Sequence, residues 1–552
     1  MKIFRNNTYI LPKLFKMRNL KIFSYVMMSC MLLFMTSCED DLNTTLQDDT
    51  RLTTEEFFQQ EDAYTKLIAG VYGNLNLTSA SGPGASNITG IDAGTSQYGR
   101  ALMNLQTFST DEAIWTYEND PGIAGVQRMN WNAENVIVRG AFGRIMGGVA
   151  FANNFLREST PGLLDSRGIT GAERDLVLNE YRPEARFIRA LAYYHMLDLF
   201  GKANFVTEDL PLGEFASPQI EGEELFNYIE QELLEIEPLM NEPRANYARA
   251  DRATVQMLLA KLYLNAEAYI GVDRYADALQ YSEAVINSGY SLLPEYDNLF
   301  RADNDVNGAQ NEIIFAVPAD GIESQSFGPM TVMTNGAVGS VEQNGQELGV
   351  TAGGWGGAIR VSEAFANKFE GDEFVNDVRN TILKDGRTAG IIDVTDPAQG
   401  YALTKYSDVR SDGTQDNDQT FASIDYPMFR LADAYLMYAE AHLRGGGGSP
   451  TQALNYVNAL RERANGGSSA ANITLGDLTL NFIIDERARE LYWEFHRRQD
   501  LRRFGLFTGA GYTWAFKGGS PSGIPTAEFR DIYPIPNQSL TVNPNLTQNT
   551  GY

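Results

Sequence analysis

The chain has 552 residues, with 71 Asp and Glu against 44 Lys and Arg, so its formal net charge at pH 7 is −27. This acidic balance argues against nucleic acid as a partner, because binding to phosphates needs a basic footprint. The two cysteines, Cys30 and Cys38, both lie near the N-terminus, so the body of the chain has no disulfide framework and depends on its hydrophobic core. A chain of this length can build a large core, as one domain or as two closely packed ones.

Residues 1–37 have the pattern of a secretory signal peptide. Six basic residues and no acidic residue precede or flank a run from Ile22 to Phe34 that is almost wholly apolar. This run is too short to span a bilayer, which needs about 20 apolar residues, so it predicts an exported protein. Met1 and Met17 both remain possible starts, because the segment from Met17 is a complete signal by itself.

Cys38 stands at the end of this signal. It follows the small residues Thr36 and Ser37, and the acidic residues 39–41 come directly after it. The junction resembles the lipobox of bacterial lipoproteins, and the acidic residues resemble the surface-export signal of Bacteroidetes lipoproteins. The alternative is an ordinary cleavage site that happens to carry a cysteine. We predict that Cys38 becomes the lipidated N-terminus, since several acyl chains give stable anchoring, and that residues 38–52 tether the body to the outer membrane.

Residues 53–290 are patterned mainly as helices, several of them in adjacent pairs. Apolar residues at helical spacing begin after a polar cap at Thr53 or Thr54. The predicted helices cover residues 53–75, 136–156, 181–201, 222–240, 252–270 and 275–289. Residues 78–100 are rich in Gly, Ser and Thr and predict a loop, part of a longer binding loop over 78–135. Small residues recur where paired helices would cross, which is typical of a tetratricopeptide-like scaffold.

Residues 291–424 have a different composition, rich in loops. The sequence EIIFAVP predicts a short strand, whereas the glycine-dense segment 334–359 predicts no helix. Helices resume over 427–443, 451–464 and 482–507, and the tail, 533–552, is predicted to be extended. The predicted fold class is therefore mainly α. A tetratricopeptide-like scaffold of helical pairs, residues 53–290 and 425–552, brackets a loop-rich ligand-binding insertion, 291–424, that contains short strands.

Five segments resemble successive blocks of the SusD/RagB family. They occur in the family's order and cover nearly the whole mature chain: EARFIRALAYYHMLDLFGKANF, FRLADAYLMYAEAHLRGG, ALNYVNALRERA, DERARELYWEFHRRQDLRRFG and the tail from YPIPNQSL onward. The resemblance implies a surface-exposed outer-membrane lipoprotein that binds oligosaccharides, has no catalytic activity and needs no cofactor. It also implies a partner, a TonB-dependent transporter of the SusC type, to which the glycan is delivered.

The resemblance is closest to the starch-binding member of the family, through the segments STDEAIWTYENDP, ADNDVNGAQNEIIFAVPADG and TWAFKGG. It places the sugar-contacting positions on six residues: Asp92, Arg100, Tyr117, Asp120, Phe327 and Trp355. Here Tyr117 replaces a Trp, Phe327 a Tyr and Asp120 an Asn, so the aromatic character is kept while the hydrogen-bonding groups change. The glycan therefore stays open, with an α-glucan of the starch type as first choice and a β-glucan such as laminarin as second.

These residue types suit sugar binding on chemical grounds as well. Aromatic rings pack against the C–H face of a sugar, while Asp, Asn and Arg bind its hydroxyl rim. Trp355 lies among glycines, as surface loops often do, whereas Tyr117 and Phe327 without the resemblance would be assigned to the core. Three other tryptophans are predicted to pack in the core: Trp115, Trp493 and Trp514.

The segment DNDVNGAQNE, residues 303–312, begins like a calcium-binding loop. Asp303 and Asp305 have the right spacing, but the Glu expected six residues after the loop's Gly is replaced by Ile314. The alternative is a polar turn before the strand. We keep a structural calcium ion as a prediction, with Asp303 and Asp305 as its ligands.

Other signals give three candidate functions from different classes. The basic segment 496–503 is predicted to pair its arginines within the fold, with Glu486, Glu490 or Glu494. The histidines show neither metal-ligand spacing nor a nucleophile motif. The first candidate is a glycan-binding partner of a transporter. The second is an outer-membrane-anchored glycoside hydrolase, because the 71 acidic residues are numerous enough to include a catalytic pair of carboxylates. The third is a protein-binding helical-repeat scaffold.

Overall fold

The computed structural model describes residues 52–552, apart from 212, 214–215, 339–347, 351–354, 397, 417 and 419. The predicted signal peptide, the lipidation site Cys38 and almost all of the predicted tether therefore lie outside the described residues. Over the described ranges, no helix is both long enough and apolar enough to cross a membrane. The chain divides into two units, Met1–Ala63 and Tyr64–Tyr552.

The described part of the first unit contains helix α1, Thr54–Phe58. Thr53 caps this helix, because its side chain accepts from the backbone N–H of Glu56 while the Glu56 carboxylate accepts from the backbone N–H of Thr53 at 2.8 Å. Helix α2, Ala63–Asn76, follows. The predicted helix over 53–75 is thus two helices, because Asp62 between them has a φ of 60°, which a right-handed helix cannot accommodate.

Consecutive helices build the first part of the scaffold. They are α3 (Tyr98–Gln106), α4 (Ile123–Gln127), α5 (Val136–Glu158), α6 (Pro161–Ser166), α7 (Gly171–Leu176), α8 (Arg182–Phe200), α9 (Gly222–Ile236), α10 (Arg252–Leu264), α11 (Ala266–Ile270) and α12 (Tyr275–Ile286). Helix α5 packs against α8, α8 against α9, and α10 against α12. The predicted mainly α fold with paired helices is confirmed. The loop predicted over 78–100 ends earlier than expected, because helix α3 begins at Tyr98.

The second part of the chain adds further helices. They are α13 (Pro329–Ala337), α14 (Glu363–Ala366), α15 (Leu431–Leu443), α16 (Pro450–Ala464), α17 (Leu480–Leu491), α18 (Arg497–Arg503) and α19 (Asn537–Val542). The prediction of one helix over 482–507 is wrong, because Trp493 and Phe495 have φ values of 59° and 67° and interrupt it. The prediction of an extended tail is also wrong in one place, because helix α19 forms after Pro536.

Short antiparallel strand pairs connect these helices. Among the described residues they are β1 (Ile114–Trp115) with β5 (Ile359–Arg360), β2 (Lys202–Asn204) with β3 (Gln219–Glu221), β4 (Ile313–Val317) with β8 (Tyr426–Arg430), and β6 (Ile382–Leu383) with β7 (Ala402–Leu403). Strand β4 is the strand predicted from EIIFAVP. The predicted helix over 427–443 begins later, at Leu431, because the residues before it are buried in β8 and pair with β4.

The prediction that segment 334–359 contains no helix is wrong at its start. Helix α13 runs through Thr334 to Ala337. Its glycine, Gly336, allows close packing, because a Cβ there would lie 2.8 Å from the side chain of Ile359 and 3.5 Å from the ring of Trp115. Glycine is therefore tolerated in this helix, and it brings α13 against the strand pair β1–β5.

A buried network of ion pairs connects α17 to the strand pair β4–β8. Arg430 contacts Glu494 at 2.6 Å and Glu490 at 2.6 Å. Arg463 contacts Glu312 at 2.8 Å and also pairs with Glu490. All five side chains are at most 3 % exposed. Removing one partner of such a pair leaves a buried charge without compensation, which is strongly destabilising.

The arginines of segment 496–503 are also paired within the fold, but the predicted partners, Glu486, Glu490 and Glu494, are wrong. Arg497 pairs with Asp111 at 2.7 Å, Arg498 with Asp198 at 3.1 Å and Arg503 with Glu440 at 2.6 Å. The chain turns between α17 and α18, so α18 faces different helices from α17. These contacts agree with the predicted structural role of the segment. The boundaries predicted at 290 and 424 stay an interpretation.

Candidate functional site

A cleft of about 380 Å³ lies beside strand β1, between the segment that precedes α3 and the start of α5. Its polar lining includes Asp92, Arg100 and Asp120, and its apolar wall includes Ile123 and Ile137. The volume falls within the range of about 300–1,000 Å³ that is usual for small-molecule sites. Three of the six predicted site residues thus lie around one cavity.

Trp115 forms one wall of this cleft and stands at the centre of an aromatic group. Its ring meets Tyr117 at a centroid distance of 6.0 Å and Trp355 at 6.2 Å, both edge to face. Strand β1 holds Trp115 opposite Ile359 of β5. We define the aromatic group as Trp115, Tyr117 and Trp355.

The core prediction for Trp115 is confirmed, since it is 4 % exposed, but its second role in the cleft was missed. The signal was present in the sequence. In an extended segment, residues i and i+2 face the same side, so Tyr117 as a sugar contact points to Trp115 as its neighbour. Trp493 and Trp514 lie in the core, as predicted.

Two polar residues of the cleft are arranged around the Trp115 ring. Its Nε1 donates a hydrogen bond of 2.8 Å to Oδ2 of Asp120. The guanidinium of Arg100 lies 5.6 Å from the ring centroid, within range of a cation–π interaction. Trp115 therefore orients a carboxylate on one side and an arginine on the other.

Arg100 is the cation of the cleft. Burial lowers the pKa of Arg100 to about 10, and the carboxylates of Asp92 and Asp120 oppose this change, so the guanidinium is charged at neutral pH. Its Nε donates to Asn104 at 3.4 Å, and no residue in the described part of the chain accepts from its two terminal nitrogens. Asp92 accepts from the backbone N–H of Thr95 at 3.1 Å. The terminal nitrogens of Arg100 are thus available to a ligand.

Tyr117 and Trp355 are fixed to each other across 238 residues of sequence. The Tyr117 hydroxyl donates to the carbonyl oxygen of Trp355 at 2.8 Å, while the backbone N–H of Trp355 donates to Asn335 at 3.1 Å. Gly356 is required in this turn, because its φ is 63° and a Cβ there would lie 2.9 Å from the Tyr117 hydroxyl. The exposed ring of Tyr117, 48 % accessible, is therefore held in place against the Trp355 turn.

Arg360 supports the Trp355 turn from behind. Its side chain is buried and donates to the backbone carbonyls of Gly357 at 3.3 Å, Val394 at 2.7 Å and Gln399 at 2.5 Å, and also to that of Asp396. Burial lowers the pKa of Arg360 to about 10. No sequence signal identified this residue, since an arginine in a two-residue strand normally points to solvent.

Phe327 lies apart from the aromatic group. Its half-buried ring packs against Phe421 at 5.0 Å. A Cβ on Gly94 would lie 3.3 Å from the Cβ of Phe327 and 3.4 Å from Oδ2 of Asp92, so Phe327 borders the Asp92 turn. Three of the predicted residues thus line the cleft, Tyr117 and Trp355 adjoin it through Trp115, and Phe327 borders the turn that carries Asp92. Their contact with sugar stays a prediction.

The predicted calcium ligands are arranged as a turn. Both carboxylate oxygens of Asp303 accept from Ser411, at 2.8 Å from its backbone N–H and 2.6 Å from its hydroxyl, and Asn307 donates to Asp303 at 3.2 Å. Within the described ranges, no three His, Cys, Asp or Glu side chains converge in a way that could hold a metal ion. A calcium ion here stays a prediction, and it would have to displace these hydrogen bonds.

Comparison with known proteins relates the whole chain to one family. The SusD family profile matches residues 370–552. The starch-binding protein SusD of Bacteroides thetaiotaomicron is 33% identical, over 96% of this chain and 98% of its own length. The SusD-like protein P25 of Formosa agariphila is 25% identical, over 97% of this chain and 100% of its own.

A solved structure gives the same result for the fold. Surface glycan-binding protein A of Bacteroides thetaiotaomicron, in complex with laminarihexaose, aligns with a TM-score of 0.65 at 19% identity, over 89% of this chain and 99% of its own. The sequence relationship to the starch-binding protein extends over nearly the full length of both chains. The chain therefore belongs to the SusD family.

Proposed function

We propose that this protein is a non-catalytic, cell-surface glycan-binding lipoprotein that captures oligosaccharides and delivers them to a TonB-dependent transporter of the SusC type. The observation that carries the proposal is the cleft beside β1, where the aromatic group adjoins Arg100 and two carboxylates. Membership of the SusD family supports the same class of function.

The cleft suits a sugar chain in its geometry and in its chemistry. The exposed ring of Tyr117 and the half-buried ring of Trp355 offer apolar surface to the C–H faces of successive sugar rings. Arg100 donates hydrogen bonds, and the carboxylates of Asp92 and Asp120 accept them from hydroxyl groups. A ligand with alternating apolar faces and hydroxyl edges satisfies both kinds of surface.

Our first choice of ligand is an α-glucan of the starch type. The starch-binding protein SusD is 33% identical to this chain, whereas the protein solved with laminarihexaose is 19% identical. The β-glucan laminarin is therefore the second choice. Asp120 accepts the Trp115 hydrogen bond with Oδ2, which leaves Oδ1 for a hydroxyl group and favours a ligand that donates at this position.

The carboxylates of the cleft support binding without hydrolysis. A glycoside hydrolase needs one carboxyl group to donate a proton and a second to act as base or nucleophile. Asp120 accepts from Trp115 and Asp92 accepts from Thr95, and the cation Arg100 interacts electrostatically with both, so both carboxylates are arranged as hydrogen-bond acceptors. Release of reducing ends from starch or laminarin by the purified protein would overturn the non-catalytic part of the proposal and favour the hydrolase.

Family membership and the N-terminal sequence support the proposed location and the proposed partner. Cys38 after an apolar signal supports a lipid anchor in the outer membrane, and the acidic residues 39–41 support export to the cell surface. A binding protein anchored there delivers glycan only through a transporter, so we propose a SusC-type partner. Co-purification of such a transporter with the tagged protein from outer membranes tests this step.

Affinity electrophoresis against a panel of polysaccharides tests the proposal as a whole. We expect retardation by amylopectin, with laminarin as the second candidate, and loss of retardation in Arg100→Ala. Arg174→Ala is the matched control. Arg174 lies on α7, far along the chain from the cleft, and among the described residues its side chain pairs with Asp165 alone, at the surface. Binding to no polysaccharide, together with capture of a secreted protein, would favour the helical-repeat scaffold instead.

A further inference from the structure

A second cleft, also of about 380 Å³, lies on the insertion 291–424. It is bordered by the turn Tyr296–Phe300 and by the residues that follow strand β7. None of its lining residues takes part in the cleft beside β1.

Two opposite charges line the second cleft, Asp297 and Arg301, four residues apart. Arg301 donates to the Ser407 hydroxyl at 3.2 Å. Across the described residues, no carboxylate lies within ion-pair distance of Arg301 and no hydrogen bond reaches the Asp297 carboxylate. Burial raises the pKa of Asp297, and Arg301 opposes that rise. Among the described residues, both groups therefore keep hydrogen-bonding capacity that no partner uses.

The remaining surface of the cleft is mixed. Leu348 and Val409 are buried and give an apolar floor, while Thr381 and Thr404 add hydroxyl groups. The ammonium of Lys405 is directed away, into the core, where it contacts Glu494 at 2.6 Å. The charge of Lys405 is thus already paired. Of the described lining residues, Asp297 and Arg301 are therefore the charged groups that can face a ligand.

This combination selects a small, neutral, hydroxyl-rich ligand. An anion would meet Asp297 and the overall charge of −27, and a cation would meet Arg301. A pair of neighbouring hydroxyl groups can donate to the Asp297 carboxylate and accept from the Arg301 guanidinium at the same time. None of the described lining residues is aromatic, so stacking cannot hold a long glycan, and hydrogen bonds to one or two sugar units must suffice.

We propose that the second cleft binds one or two sugar units at the end of a neutral saccharide, through Asp297 and Arg301. This site would act in addition to the cleft beside β1 and does not depend on it. A protein with both sites could hold one glycan at an internal segment and at an end, or hold two separate chains.

Saturation-transfer NMR with maltose and with laminaribiose tests the proposal on the mature protein. The background is Arg100→Ala, which disables the first cleft. We expect at least one of the two sugars to bind in this background, and Asp297→Ala or Arg301→Gln to weaken that binding at least tenfold. Asp297 is exposed at the rim of the cleft and Arg301 is half-buried, so the melting temperature should change little. Asp209→Ala, at an exposed aspartate outside both clefts, is the matched control and should bind as the background does.

Three results would overturn the proposal. The first is loss of all disaccharide binding in Arg100→Ala alone, which would leave the first cleft as the site of binding. The second is unchanged binding after Asp297→Ala and after Arg301→Gln. The third is preferred binding of galacturonic acid or glucosamine over both disaccharides, because either preference would contradict a neutral ligand. The two clefts share no lining residue. Variants of Asp297 and Arg301 therefore test the second cleft, and variants of Arg100 test the cleft beside β1, independently of each other.

Discussion

The indole Nε1 of Trp115 donates a hydrogen bond of 2.8 Å to Oδ2 of Asp120. Trp115 is almost fully buried, whereas Asp120 is exposed at the mouth of the cleft. The bond therefore transfers the rigidity of the core to a carboxylate at the mouth of the cleft. It also removes one of the conformational choices of Asp120, so less entropy would be lost if a glycan contacted this residue.

Trp115→Phe should keep the aromatic packing and lose this hydrogen bond. We expect about a tenfold loss of glycan affinity, because a hydrogen bond to a charged group contributes about 1.5–3 kcal/mol and about 1.4 kcal/mol corresponds to a factor of ten. Isothermal titration calorimetry measures the change. Trp514→Phe is the matched control, because Trp514 is equally buried but its Nε1 has no hydrogen-bond partner among the described residues. Equal affinities of Trp115→Phe and the wild type would contradict the role given to Asp120.

Trp355→Ala should remove a binding surface without unfolding the protein. The residue is half-buried, so the melting temperature should fall far less than for a core tryptophan, whose truncation costs about 3–5 kcal/mol. Tyr117→Ala should weaken glycan binding as well, and the two losses should not add, because both rings would contact one ligand. Calorimetric titration and thermal melts of the double-mutant cycle test this, with Phe151→Ala, at an exposed ring on α5, as control. Additive losses would mean that the two rings act independently.

Arg360→Gln should weaken glycan binding although Arg360 does not line the cleft. Glutamine is shorter and has only two N–H donors, so most of the carbonyls now bound by Arg360 would lose their partner, at about 1–3 kcal/mol for each one that stays buried. We expect a lower melting temperature and a looser Trp355 turn, visible as faster hydrogen exchange of the Trp355 amide. Arg252→Gln, at a partly exposed arginine, serves for comparison. Unchanged exchange at Trp355 would show that the turn does not depend on Arg360.

Titration of Glu112 should lower the stability of the protein as the pH rises from about 5 to 8. The buried His195 and His496, whose pKa values burial lowers, act in the opposite direction below a pH of about 6.5. Burial raises the pKa of Glu112 from its ordinary value of 4.5 to about 8. Between these values the folded state holds a proton that the unfolded state has released, so a rise in pH favours unfolding. Glu112→Gln does not titrate, so its melting temperature should fall less across this range. Asp408 and Asp425, whose pKa values burial raises to about 8 and about 7, should account for the decline that remains. Parallel pH profiles of the wild type and Glu112→Gln would contradict this assignment.

Cys38→Ala should release the protein from the outer membrane, because it removes the predicted lipid attachment. Cell fractionation followed by immunoblotting measures the distribution between membrane and soluble fractions. A SusC-type partner could retain the unlipidated protein, so the experiment is repeated in a strain that lacks the transporter. If the variant remains in the membrane fraction there, the lipid anchor at Cys38 is wrong.

The helical scaffold could be predicted from the sequence because a period of 3.6 residues depends on local patterning alone. The predictions failed where distant parts of the chain decide the conformation. Burial of Trp493 in the core accompanies left-handed backbone that splits the predicted helix over 482–507. The glycines of segment 334–359 predict no helix, but Gly336 lies within α13. The missing side chain of Gly336 makes room there for Ile359.

Part of the candidate site could be predicted because its residues lie close together in the sequence. Asp92, Arg100 and Asp120 lie within one short segment, so a local resemblance was enough to group them. Trp355 could be connected to Tyr117 only by a resemblance that extends over most of the chain. The supporting role of Arg360 depends on four backbone carbonyls, which have no side-chain signature in the sequence.

The 238-residue separation between Tyr117 and the carbonyl that it binds has a consequence for biogenesis. Long-range contacts form late and slowly during folding, because a large loop must close before they contribute any stability. The two sides of the aromatic group can meet only after several hundred residues have been synthesised and folded. Glycan binding therefore reports completed maturation, and a retained ability to bind after heat or protease treatment measures the surviving population of fully folded molecules.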